Sequence, residues 1–117
     1  MSNKEIGNFG ENKAATYLTD LGFTLLYRNW RQHHLEIDII ASKDKLLHIV
    51  EVKTRTSIEY GYPEKFISKQ KMQFLKNAAA LFQYQNPQWK YLQFDVIAIF
   101  KNENNSWELS FFEDVYF

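Results

Sequence analysis

The chain has 117 residues, 45% hydrophobic and 17% aromatic, with 14 basic and 14 acidic side chains and zero net charge. That length suits one domain over 1–117 with a sizeable core, and the neutral balance gives no support to strong bulk attraction for nucleic acid. The lack of cysteine excludes disulfides and thiolate metal sites, and no apolar run approaches the ~18 residues of a membrane span; with no signal-peptide pattern at the N-terminus, a soluble cytoplasmic protein without a membrane partner is expected.

Lys4 to Leu21 reads as a helix. Ala14, Tyr17, Leu18 and Leu21 follow helical spacing, and Gly22 is a stop signal. Extending that stripe backwards reaches Glu11 and then Gly7, which places a carboxylate at the edge of the core, aimed at the sheet. Gly7 and Gly10 each cost ~1 kcal/mol relative to Ala in a helix and permit close approach to a sheet or a ligand. On pattern alone the plainer account comes first: a frayed helix start, with Glu11 a first-turn acid favoured by the helix dipole. Phe23 to Arg31 reads as a strand, and Gln32-His33-His34 as a polar connection. Adjacent residues of a strand point to opposite faces, so the two histidines do not share an ion.

Leu35 to Lys53 reads as two strands and a tight turn containing Lys43-Asp44-Lys45. Glu36, Asp38 and Ile40 share one face of the first strand; Ile49, Glu51 and Lys53 share one face of the second. An antiparallel hairpin with Asp44-Lys45 in its loop sets Ile39 opposite Val50, Ile37 opposite Val52, Asp38 opposite Glu51 and Glu36 opposite Lys53. One face is then apolar, and the other carries three carboxylates and a lysine. A one-residue slip would mix the two sets.

Carboxylates directly opposite each other repel, and each raises the other's pKa unless a cation intervenes. Hard oxygen ligands at this spacing suit Mg²⁺ or Mn²⁺, which retain waters and open positions for a phosphate. Such an ion can activate water and polarise a phosphoryl oxygen, while Lys53 offsets charge. The bland alternative is an ordinary solvated strand, since Glu-Val-Lys is a short motif. Asp38 on the neighbouring strand, with matching parity, favours the chemical reading.

Arg55 to Lys65 is a long loop holding Tyr60-Gly61-Tyr62-Pro63, of the kind that is often functional or mobile. Ser68 to Tyr84 reads as the second helix, capped by Ser68, with Phe74, Leu75, Ala78, Ala79, Leu81 and Phe82 on a broad apolar face. Lys69 and Lys71 lie in its first turn, where free N–H groups and the dipole favour phosphate. Tyr91 to Phe100 and Trp107 to Phe112 are the last strands. His48 reads as a packed, hydrogen-bonded residue; Asp95 reads either as a further acid or as the partner of a lysine or arginine. Helix, three strands, helix, two strands implies an α/β fold: a mixed sheet of about five strands, with the fourth parallel to the third through a right-handed crossover.

Gly7-Asn8-Phe9-Gly10-Glu11, Arg28-Asn29-Trp30-Arg31, Glu36-Ile37-Asp38-Ile39-Ile40-Ala41, Val50-Glu51-Val52-Lys53-Thr54-Arg55 and Lys71 together resemble the YraN-like proteins, an uncharacterised bacterial family with a restriction-endonuclease-like fold. The resemblance covers nearly the whole chain and extends, more distantly, to archaeal Holliday-junction resolvases. It implies a Pro-Asp pair followed by an acid, any residue and lysine, here Asp38, Glu51 and Lys53, with Ile37 standing where the motif has proline. It implies the Val52 carbonyl in the metal shell, and Glu11 as the helix glutamate of the resolvase-like branch. It assigns no role to Glu36.

Two readings follow. In the first, the protein is a Mg²⁺- or Mn²⁺-dependent nuclease acting on DNA, branched DNA included. Asp38, Glu51, Lys53 and Glu11 are then catalytic, and Arg55, Lys69 and Lys71 bind nucleic acid; a homodimer is needed to cut two strands. In the second, the fold is a non-catalytic module for nucleic acid or protein, which the neutral charge favours, as does an acidic tail after Lys101 that holds Glu103, Glu108, Glu113 and Asp114 and no basic residue. A weaker third reading is a dimeric scaffold that meets through Trp89, Tyr91, Tyr116 and Phe117.

Overall fold

The computed structural model describes residues 1–56 and 67–115. The elements run α1 (Asn3–Asp20), β1 (Thr24–Gln32), β2 (Leu35–Lys43), β3 (Leu46–Arg55), α2 (Lys69–Gln85), β4 (Leu92–Lys101) and β5 (Trp107–Phe112). The loop tyrosines Tyr60 and Tyr62, and Tyr116 and Phe117, lie outside the described residues.

Both helices start on a serine. Ser2 Oγ accepts from Glu5 N–H, and the Glu5 carboxylate accepts from Ser2 N–H, a reciprocal capping box. The start of α1 is therefore closed rather than frayed, and it begins a residue earlier than the apolar stripe suggests. Ser68 caps α2 by accepting from Lys71 N–H. Gly22, at φ +94°, releases the chain from α1 into β1 in a conformation glycine adopts without steric cost.

The sheet order is β1-β2-β3-β4-β5. β1 to β3 form an antiparallel meander, β4 runs parallel to β3 through the α2 crossover, and β5 returns antiparallel. Asp44 and Lys45 both have positive φ, 53° and 68°, and close the two-residue β2–β3 turn. That turn gives the register expected from the apolar pattern: Ile39 pairs with Val50 and Ile40 with Ile49.

A helix covers each face of the sheet, so the apolar residues do not collect on one side. α1 packs Ala14, Ala15 and Leu18 against Ile39, Ala41, Val50, Ile97 and Ile99. α2 packs Met72, Leu75, Ala78, Ala79 and Phe82 against Ile37, Ile40, Leu47, Ile49 and Val96. The expectation of one apolar and one charged face is thus corrected: the face that carries Glu51 also holds Ile40 and Ile49 under α2. Ile37 is a second correction. It joins Ile40 rather than Ile39, so strict alternation along β2 breaks at Asp38.

Gly10 allows α1 to approach the sheet. A Cβ there would lie 1.8 Å from Thr54 Oγ1, whereas one at Gly7 meets nothing within 4 Å. Gly10→Ala is expected to cost about 1–3 kcal/mol through forced displacement of helix or strand. Gly7→Ala is expected to gain up to about 1 kcal/mol from helix propensity. Thermal melts of the two variants, shifting in opposite directions, check the pair.

Candidate metal and phosphate site

Asp38 leaves the regular ladder and finds a backbone partner. The β2–β3 pairing runs from Lys43–Leu46 to Ile39–Val50 and has no pair at Asp38–Glu51, Ile37–Val52 or Glu36–Lys53. Instead, the Asp38 carboxylate (Oδ2) accepts from Val52 N–H at 2.8 Å. The strands part where two carboxylates would face each other, because a charged acceptor satisfies that N–H without a cross-strand carbonyl. Glu36 is turned to Arg31, whose Nε lies 3.2 Å from Oε2, and not to Lys53 as the simple register predicts.

Glu51 is nearly fully buried, on the α2 side of β3. Its pKa is pushed up to about 8, first by burial, then by the hydrogen bond and charge of Asp38; Lys71 and then Lys53 pull it back down. Lys71 Nζ lies 3.3 Å from Glu51 Oε2. Oε2 nevertheless makes no hydrogen bond, so the lysine is close enough to attract it and poorly aligned to bond it. Lys71, expected to face a phosphate from the first turn of α2, instead reaches into the carboxylate pair. Lys69 sits exposed at the first position of α2.

Glu11 comes from the other side of the sheet. Its pKa is raised by partial burial and then by the Asp38 charge, and it is offset by a hydrogen bond from the Asn29 amide and by the Arg28 guanidinium. Gly7, Glu11, Asn29, Asp38, Lys53 and Arg55 line a common cleft of ≈ 800 Å³ that Val52 also borders. Glu51 lies beneath it, joined to it through Asp38. The structure thus brings Glu11, Asp38, Val52, Lys53 and Arg55 into one cleft, with the Glu51–Lys71 pair beside Asp38 on the α2 side. Arg55 is exposed at the rim and donates to the Thr54 carbonyl.

The residues fit a hard divalent cation on one observation: one oxygen of the buried Glu51 has no hydrogen bond, beside an Asp38 whose charge helps to push the Glu51 pKa up. A cation that replaces the Glu51 proton would satisfy both groups. Among the described residues no three histidine, aspartate or glutamate side chains are grouped so as to hold a metal ion. Two carboxylates, a carbonyl and several waters are the set that Mg²⁺ commonly takes.

Pattern reading missed three partners. Lys71 meets Glu51 only through the crossover of α2, which strand parity does not encode. Asn29 sits at φ +52° inside β1; asparagine's tolerance of that region was the available signal. Asp95 pairs with His48, Nδ1 to Oδ2 at 2.6 Å, and not with a lysine or arginine. Its Oδ1 also takes Gln93 Nε2 and the Asp114 N–H. His34 lies edge-on to Phe74, in keeping with an ordinary turn.

The family model described as "Uncharacterised protein family UPF0102" matches residues 10–99, which include Glu11, Asn29, Asp38, Glu51, Val52, Lys53, Arg55 and Lys71. A UPF0102 protein of Flavobacterium psychrophilum is 38% identical over 113 residues, covering 97% of this chain and 94% of the relative. One from Caldicellulosiruptor bescii is 40% identical over 119 residues, covering 99% and 100%. One from Bacteroides thetaiotaomicron is 35% identical over 117 residues, covering 97% and 93%.

Proposed function

We propose that this chain, which belongs to the uncharacterised protein family UPF0102, hydrolyses phosphodiester bonds of DNA with the help of Mg²⁺ or Mn²⁺. The observation that carries the reading is Glu51, a buried carboxylate held against a second carboxylate with one oxygen unbonded. Burying such a pair costs stability unless something positive completes it. Lys71 completes it only in part.

Asp38, Glu51 and the Val52 carbonyl would hold the ion, and Glu11 would support its water from across the cleft. When bound, the ion supplies Lewis acidity toward a phosphoryl oxygen and water acidic enough to attack at neutral pH. The chain's own groups do the positioning. Val52 N–H fixes Asp38. Lys53, on the cleft wall, offsets the charge that gathers on the phosphate oxygens. Arg55 at the rim and Lys69 at the start of α2 contact flanking phosphates, which orients the strand without reading sequence. The substrate is therefore selected by shape, branched DNA included, and a homodimer would supply two such sites for two strands.

Zero net charge favours a second reading, a non-catalytic module on the same fold. One experiment separates the two. The protein is titrated with Mg²⁺ and with Mn²⁺ by calorimetry, then incubated with branched, single-stranded and duplex DNA, with the metal or with EDTA. The expected outcome is saturable metal binding and metal-dependent cutting that prefers branched substrate. No metal binding at millimolar concentration, with or without DNA, would leave the binding module.

A further inference from the structure

Asn29 is the residue in the site that strand geometry does not explain. It lies inside β1 at φ +52°, and the register places it opposite Asp38: Arg28 pairs with Ile39 and Trp30 with Ile37, with no pair between them. Both strands change face at this point. Arg28 reaches α1, where Nη2 donates to Asn12 Oδ1 at 2.8 Å, and Trp30 packs on Phe82 of α2. Across from them, Ile39 belongs to the α1 cluster and Ile37 to the α2 cluster. In a regular strand, residues two apart share a face; here 28 and 30 do not, nor do 37 and 39. The left-handed Asn29 stands at the switch in β1, directly opposite the switch at Asp38 in β2. Asn29 is exposed, so core packing does not hold it there. It lines the same cleft as Glu11 and Asp38, and its side chain acts to lower the Glu11 pKa.

We propose that Asn29 is a positioning residue for both cleft acids: its left-handed backbone swings Asp38 out of the ladder onto Val52 N–H, and its amide holds Glu11 toward Asp38. The proposal rests on the reading of the cleft as a metal site for the Glu11 half only; the Asp38 half is independent of it.

Two variants divide the claim. Asn29→Gly keeps the left-handed backbone and removes the amide; Asn29→Ala removes the amide and resists that backbone. Each is examined by thermal melting, by amide hydrogen exchange without metal, and by Mn²⁺ calorimetry. For Asn29→Gly the expected result is a wild-type melt, a protected Val52 amide and about tenfold weaker Mn²⁺ binding, the usual scale for loss of an outer-shell partner. In the Glu11→Gln background Asn29→Gly should add nothing further. For Asn29→Ala the Val52 amide should exchange faster while Ile39, Ala41 and Lys43 in the adjoining ladder stay protected. Wild-type Mn²⁺ affinity in Asn29→Gly would overturn the Glu11 half. Wild-type protection of Val52 in Asn29→Ala would overturn the Asp38 half. If the wild-type protein binds no Mn²⁺, the metal reading and the Glu11 half fail together, and Val52 exchange still decides the Asp38 half.

Discussion

Asp38→Ala is expected to abolish metal-dependent cleavage and leave the fold standing. Among the described residues Asp38 is the acid that lines the cleft and also acts on Glu51, so on the proposed reading its loss removes one of the ion's charged ligands. At 1.36 kcal/mol per tenfold, losing about 4 kcal/mol of transition-state stabilisation lowers the rate about a thousandfold. The stability change is small by comparison. Val52 N–H loses its acceptor, worth about 1 kcal/mol, and Glu51 loses a repelling neighbour. DNA binding should persist or tighten because a negative charge has gone. Asp38→Asn is the stricter control, since its amide oxygen can still accept from Val52 N–H. Calorimetry with Mn²⁺, cleavage assays and a melt on both variants give the answer. Full cleavage by Asp38→Asn would remove the metal-ligand role.

Glu51→Gln is expected to stabilise the metal-free protein at alkaline pH. The Glu51 pKa in the fold, about 8, lies above its ordinary value of 4.5. Between those values the folded state holds a proton that the unfolded chain has released, so this group's contribution to stability falls as pH rises through that window. Glutamine carries no such linkage and can still donate to Asp38. In EDTA, Glu51→Gln should therefore match the wild type near pH 4.5 and gain on it progressively, levelling off above pH 8. The ceiling on that gain is about 5 kcal/mol; movement of Lys71 toward the ionised carboxylate should reduce it to a few. Mg²⁺ should restore the wild type at pH 8 and leave Glu51→Gln unchanged, with proton release on binding near pH 7. Urea melts at several pH values, with and without Mg²⁺, measure this. Parallel stability curves for the two proteins from pH 5 to 9 would refute it.

The hairpin was legible because two independent signals agreed. The apolar residues Ile39, Ile40, Ile49 and Val50 indicated the register, and Asp44-Lys45 indicated the turn. Agreement between local pattern and tertiary pairing is what makes a register readable. The approach of Glu11 to the sheet was not preferred on pattern alone and came in only through the family resemblance; the structure supplies its reason in Gly10, whose missing side chain makes room for Thr54. Parity failed at Asp38, since it assumes a ladder that continues, and a carboxylate that bonds a backbone N–H ends one. It also failed to place Lys71 and Asp95. Lys71 depends on how far α2 travels before it lands. Asp95 depends on the parallel register that sets it beside Val50, two residues from His48.

The strand order repeats the order of the chain. Every strand pairs with the one just before or after it in sequence, and α2 makes the one long connection between β3 and β4. Every pairing but β3–β4 therefore closes a short loop, and the cost of the longer one grows only slowly with its length. A topology of this kind has a lower relative contact order than a sheet whose first and last strands meet, and folds faster for it. The meander that carries Asp38 and Glu51 also emerges during synthesis ahead of the helix that carries Lys71. The two acids can thus meet while their lysine partner is still to come.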